Sequence, residues 1–298
     1  MLHLFLNRAS TGHLSACISA LAICLSSWAQ PTVGASSPTD DARLEPATET
    51  AADAKTAVLS AQLQIVPTPF KAVYKADYKG LPVRATGIRE LQRDADNRFV
   101  LTSTATSIFA SVSEVSHLTL TPENKLMPTE YQYHRQGIGK NRDTVLRFDW
   151  PSRQVLSLAP GDLWTLQIPP GALDKLSYQL QMRYELLTAY RQQQPWPDLS
   201  YQVADDGQLK TYSFEVLGEE NVTTPIGNFT ALKISRIRTE SARTTTFWLA
   251  PAYDFLLIRF LQEETKGGGF ELTLKEAYFQ GQVIKGTPSP ATRDSSPG

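Results

Sequence analysis

His117 and His134 are the ring nitrogens available for acid–base or metal chemistry in the body of the chain. The other two of its 4 histidines, His3 and His13, lie at the extreme N-terminus. A nucleophilic site needs a serine within hydrogen-bond reach of such a histidine and a carboxylate behind it. Ser113-Glu114-Val115-Ser116-His117 contains all three residue types. No Gly-x-Ser-x-Gly elbow accompanies it, however, and the serines around Ser111 and Ser116 read as ordinary strand residues. Two distant histidines without His-x-His or His-x-x-x-His spacing are a poor metal site. The carboxylate pairs Asp205-Asp206, Glu219-Glu220 and Glu263-Glu264 sit beside turns or near strand ends. They read as solvated charge, because a glycosidase dyad must be held apart across a cleft. The expectation is a non-enzyme with no catalytic residues, no metal and no cofactor.

The residues with most binding potential are Arg236, Arg238, Arg243, Trp248 and Arg259. Arg236 and Arg238 stand two apart, so they share one face of a strand, while Trp248 and Arg259 belong to the next hairpin. Cations beside an aromatic ring suit an anionic headgroup or a sugar acid. The competing account is that they decorate the outer face and pair with Glu215, Glu240 or Glu263.

The elements that must position these side chains are mostly strands. Phe70, Ala72, Tyr74, Ala76 and Tyr78 alternate with polar residues. Thr144, Leu146, Phe148 and Trp150 do the same, as do Tyr212, Phe214 and Val216, and Phe270, Leu272 and Leu274. A period of two marks strands with one buried and one wet face. Turn signals separate them: Gly80-Leu81-Pro82, Asp94-Ala95-Asp96-Asn97, Pro122-Glu123-Asn124, Asp205-Asp206-Gly207 and Gly267-Gly268-Gly269. This spacing predicts a mainly β fold, a single antiparallel, strongly curved sheet or incomplete barrel. One segment departs from it. Residues 172–193 lack Gly and Pro, and Leu173, Leu176, Leu180, Tyr184, Leu187 and Arg191 follow a three-four spacing, with Pro195 beyond. This predicts one amphipathic helix of about five turns, packed on the sheet or plugging its end. A membrane-surface helix would need a strongly basic face, and only Lys175, Arg183 and Arg191 supply cations.

The chain ends set the compartment. Arg8, the apolar run from Leu14 to Trp28, and small residues at Ser27 and Ala29 form an export signal cut after Ala29. Cys17 follows a lipobox-like Leu14-Ser15-Ala16, but most of the apolar run lies beyond it, so ordinary cleavage is expected. Interruption by Ser10, Thr11, His13, Ser15 and Ser19 argues against a retained span. Both of the chain's 2 cysteines, Cys17 and Cys24, fall in the signal. The exported chain therefore has no disulfide, no thiolate nucleophile and no cysteine zinc site. Residues 30–62 and 286–298 are too poor in large apolar side chains to order themselves, which leaves one β-rich domain over 63–285. A net charge of −1 gives no footprint for nucleic acid.

Asp174-Lys175-Leu176-Ser177-Tyr178-Gln179-Leu180-Gln181-Met182-Arg183 resembles the helix of a bacterial exported family, domain of unknown function 3108. Thr224 to Lys233, Thr246-Phe247-Trp248-Leu249-Ala250-Pro251, Leu257-Ile258-Arg259 and the opening Phe70 to Gly80 resemble that family in the same order. Phe255-Leu256 departs from it, where a Pro is expected shortly before the basic residue. The resemblance implies a mostly β envelope protein of Gram-negative bacteria, periplasmic, and carries no reaction and no site residues. The resulting expectation is a non-enzymatic periplasmic β-domain that binds a hydrophobic or amphipathic envelope component. The partner is a lipid, a glycolipid or an envelope protein. A structural or assembly factor is the alternative, and an envelope hydrolase is the least favoured reading.

Overall fold

The structure, a computed structural model, describes residues 65–288 apart from 80–83, 97, 124, 138–140, 160, 239–241 and 266. The expected signal, the expected linker over 30–62 and residues 289–298 of the expected tail over 286–298 lie outside the described residues.

The first half of the domain is a meander of eight strands: β1 (Phe70–Lys79), β2 (Arg84–Arg93), β3 (Arg98–Thr106), β4 (Ala110–Leu120), β5 (Leu126–Gly137), β6 (Arg142–Asp149), β7 (Gln154–Ser157) and β8 (Trp164–Gln167). One helix, α1 (Ser177–Arg191), follows. The second half comprises β9 (Leu199–Asp205), β10 (Gln208–Thr224), β11 (Gly227–Ile237), β12 (Arg243–Ala250), β13 (Leu256–Glu264), β14 (Gly269–Phe279) and the short β15 (Gln282–Val283). Of the expected turns, Asp206-Gly207 joins β9 to β10 and Gly267-Gly268 precedes β14, while Asp205 and Gly269 are themselves the terminal strand residues.

All strands join one antiparallel sheet, with β8 at one edge and β9 at the other. The two meanders meet where β14 pairs with β1, from Phe70 opposite Phe279 to Lys79 opposite Gly269. The result is a sheet nearly closed into a barrel, with a single helix. Its inner face carries the predicted alternation: Phe70, Ala72, Tyr74, Ala76 and Tyr78 are all buried, as are Tyr212, Phe214, Phe270, Leu272 and Leu274.

The helix enters the concavity and is buried around most of its circumference. Tyr178, Leu180, Gln181, Met182, Tyr184, Leu186, Leu187 and Ala189 are all covered. Each large apolar side chain so buried contributes about 1.5–3 kcal/mol. Tyr178 packs among Tyr212 at 5.3 Å, Phe214 at 5.7 Å and Tyr201 at 6.1 Å. Of the three cations on or beside the helix, Lys175 and Arg183 are turned into the protein and Arg191 pairs with Asp254 at 2.8 Å. No basic face remains for a membrane surface.

The helix is shorter than its sequence spacing predicts, 15 residues rather than five full turns. Leu173 is extended and forms a parallel bridge to Val203 of β9. Asp174 then starts the helix: its Oδ1 accepts from the backbone N–H groups of Leu176 and Ser177, both at 2.8 Å. A carboxylate satisfying orphan N–H groups is a strong helix start, so the helical spacing of Leu173 does not extend the helix upstream. Residues 286 and 287 also bond to the start of β11. Thr287 and Asn228 exchange backbone hydrogen bonds at 2.8 and 2.9 Å, and the Gly286 N–H reaches Ile226 O at 2.8 Å.

Candidate functional site

Alternation along β11, β12 and β13 divides the five sequence-derived candidates between two places. Phe247 of β12 lies opposite Ile234 of β11 and Phe260 of β13. Arg236, Thr245 and Arg243 share that inner parity, and Arg238 continues it past the end of β11. Trp248 and Arg259, directly opposite each other, take the other face. There the Arg259 guanidinium lies 4.7 Å from the Trp248 ring and donates to Glu271 at 2.6 Å. The Lys233 ammonium covers the same ring at 5.4 Å, and the Trp248 indole N–H donates to Glu220. This outer cluster is internally compensated. Arg243 sits at the inner rim, paired with Glu264 at 2.9 Å.

Arg236 and Arg238 converge on a cavity of about 30 Å³ between the sheet and α1. Its polar lining is Arg236, Arg238, Arg89 from β2, Ser103 from β3, Thr245 and Gln179 of α1. The apolar floor includes Phe247, Leu257, Phe260 and Leu272. The Arg236 guanidinium lies 3.7 Å from the Tyr212 ring centroid, and Arg238 donates to Arg243 O at 3.4 Å. The Arg89 Nε and the Thr245 hydroxyl are buried without a hydrogen-bond partner, as is Gln262 Oε1 on the residue opposite Thr245. Buried polar atoms left in this way cost about 1–3 kcal/mol each.

A second cavity, of about 20 Å³, shares Arg89, Gln179, Phe247 and Leu257 with the first and continues past Phe70, Tyr74, Met182, Leu249 and Leu256. Arg183 closes its far side, donating to Asp254 O at 3.1 and 3.3 Å and lying 4.5 Å from the Phe70 ring. Burial lowers its pKa to about 10.

A buried charged network lies beside this seam, at the start of α1. Glu114 of β4 accepts from the Tyr131 hydroxyl at 2.5 Å. Burial pushes its carboxyl up to about 7, although Lys175, Tyr131 and Arg89 all act to lower it. Ser116 donates to Asp174 Oδ2 at 2.7 Å, and burial raises the Asp174 pKa against that bond and the backbone donors. Burial works against charge on Lys175 too, but Asp205 and Glu114 outweigh it and its pKa is raised. Asp205 takes Lys175 at 3.2 Å and Lys210 at 2.8 Å, and despite burial its pKa is lowered.

None of Arg89, Glu114, Asp174, Lys175 or Asp205 stood among the five binding candidates, and Glu114 and Asp205 were weighed only as catalytic carboxylates. Strand parity is the signal that finds the first two. Arg89 continues the inward series Ala85, Gly87, Leu91, and Glu114 continues Val112, Ser116, Leu118. The same parity separates Glu114 and Ser116 from His117, which dissolves the serine–histidine grouping. His134 bonds Asp143 on the exposed side of β5 and β6. Among the described residues no cluster of His, Cys, Asp or Glu is placed to hold a metal ion.

A family model described as protein of unknown function (DUF3108) matches residues 73–275. The chain belongs to the DUF3108 family. The matched span of this DUF3108 protein begins within β1 and ends within β14, so it takes in the closure of the sheet, the helix and the cavity. No curated protein matches the chain. Among solved structures, a beta-barrel-like protein of domain of unknown function DUF1849 from Brucella abortus matches at 9% identity, covering 72% of this chain and 99% of that one with a TM-score of 0.49. A DUF1329 family protein from Desulfovibrio piger matches at 11% identity over 76% of this chain and 90% of that one, TM-score 0.22. A domain provisionally assigned as an outer membrane lipoprotein-sorting protein, from Vibrio parahaemolyticus, matches at 11% identity over 77% of this chain and 93% of that one, TM-score 0.21. At these scores the likenesses carry no argument about function. No helix of this DUF3108 protein, among the described residues, is long and apolar enough to cross a membrane.

Proposed function

We propose that this protein is an exported, periplasmic β-domain that binds an amphipathic envelope component without acting on it chemically, in the seam between α1 and the sheet. The observation that carries this reading is the pairing of unlike linings: three arginines and unpartnered buried polar atoms on one side, and a floor of aromatic and aliphatic side chains on the other. Of the five candidates from sequence, Arg236 and Arg238 contact the ligand in this reading and Arg243 holds the rim. Trp248 and Arg259 serve the outer face. Cavities of this size hold only a water or two each, so a ligand with a tail enters as α1 lifts from the sheet.

The test is mass spectrometry of organic extracts from protein purified out of the periplasm. The expected result is one amphiphile class in near-stoichiometric amount, and lipid-free protein would overturn the reading. The smallness of the cavities favours one other account, a packed assembly factor that contacts another envelope protein. Crosslinking in intact cells separates the two, since that account requires a single dominant protein partner and no extracted amphiphile.

A further inference from the structure

The two cavities differ in chemistry and join through shared walls. Arg89, Gln179, Phe247 and Leu257 line both. On one side of this junction lie Arg236, Arg238, Ser103 and Thr245. On the other lie Phe70, Tyr74, Met182, Leu249 and Leu256. Between the arginines of the first cavity and Arg183, which closes the far side of the second, the seam along α1 is therefore lined by apolar side chains, with Arg89 at the junction.

Arg89 is the pivotal residue. Its Nε is buried and without a hydrogen-bond partner, and no ion pair to it occurs among the described residues. The side chain is half-buried, and the one carboxylate whose charge it feels, Glu114, does not bond to that Nε. Such a guanidinium is matched by an anion with two oxygens in one plane, which accepts from Nε and a terminal nitrogen together. Thr245, 3% exposed, offers its hydroxyl to the same space. The closed space is only about 30 Å³, so α1 has less far to move for a flat carboxylate than for a tetrahedral phosphate or a sugar.

We infer that the ligand is a single-chain amphiphile with a carboxylate head, the head held by Arg89 with Arg236, Arg238 and Thr245, and the first methylenes laid past Phe247 and Leu257 toward Met182 and Leu249. This inference rests on the amphiphile-binding reading above and narrows it to one headgroup and one orientation. The guanidinium–carboxylate pair forms in a water-poor setting, where exchange of a charged oxygen pair for a hydroxyl leaves the buried donors unmet.

The test uses the exported protein stripped of lipid, with titration of myristate, tetradecanol, tetradecyl phosphate and acetate by calorimetry. Myristate should bind at least tenfold more tightly than tetradecanol, and tetradecyl phosphate should be weaker than myristate. Arg89→Met should abolish the preference for myristate over tetradecanol while leaving the alcohol's affinity within twofold. Arg259→Met, on the outer face, should match the unaltered protein. Should Arg89→Met fail to fold, Thr245→Val reads the same contact and should lower myristate affinity at least threefold. Equal binding of alcohol and acid overturns the carboxylate assignment and leaves the amphiphile reading standing. Binding of phosphate as tight as that of myristate also overturns it. Acetate as tight as myristate overturns the orientation along the apolar cavity. Binding of none of the four defeats the inference and the amphiphile reading together.

Discussion

Replacing Glu114 by Gln should remove a pH dependence of stability that the unaltered protein shows between about pH 4.5 and 7. Burial raises the Glu114 carboxyl from 4.5 to about 7. In the unfolded chain the group titrates near its ordinary value. Between the two values the folded protein therefore holds a proton that the unfolded chain has lost. Stability is full below the lower value and falls as pH rises through the upper one. At about 1.4 kcal/mol for each tenfold difference in proton affinity, the loss is on the order of 3 kcal/mol. The neighbouring groups do not cancel it. Asp174 is also raised and acts in the same direction from a lower starting pH, whereas Asp205 is lowered and Lys175 raised, which places their effects below and above this window. Gln is the neutral isostere, and its carbonyl still accepts the Tyr131 hydroxyl. Urea denaturation at pH 5 and pH 8 measures the difference. The variant should exceed the parent by less than about 1 kcal/mol at pH 5 and by about 3 kcal/mol at pH 8. A variant less stable than the parent at pH 8 would refute the reasoning, because it would mean that the ionised form is the one the fold favours.

Three further outcomes follow from the same structure. Leu180→Asp places an unpaired charge at a side chain only 2% exposed between α1 and the sheet. It should cost several kcal/mol, read as loss of the folded circular-dichroism signature. A Cβ at Gly227, where φ is +116°, would lie 2.7 Å from the backbone of Gly286. Gly227→Ala should therefore release the segment after Ile284 to early proteolysis and lower stability by about 1–3 kcal/mol, so an unchanged digestion pattern counts against the pinned tail. Edman sequencing of exported protein should begin at Gln30, while an acylated Cys17 or an intact Met1 would contradict the export reading.

Much of the architecture was legible before any coordinates. Which residues of β1, β6, β10 and β14 face inward follows from a period of two, and that period arises between adjacent residues in any extended chain. The helix was legible for the same reason, because a three-four spacing without Gly or Pro is a local property. Its first turn was not. Leu173 has the helical spacing but is taken up by a backbone bridge to Val203, a contact with a residue 30 positions later that no local pattern contains.

The binding surface divides in the same way. Residue types and a two-residue spacing were enough to bring Arg236 and Arg238 together. Their separation from Trp248 and Arg259 needed the register of β11 through β13. The union of Arg236 with Arg89 needed closure of the sheet, through β14 against β1 and the strands between. Sequence determined which side chains can be polar or apolar and which alternate. The tertiary structure decided which inward charges meet, because a guanidinium or a carboxylate at an inward position is tolerable only where folding brings it a partner, and that partner comes from strands far apart in the chain. Asp205 reads as solvated turn charge until the sheet curls around α1, removes the water and gives it Lys175 and Lys210.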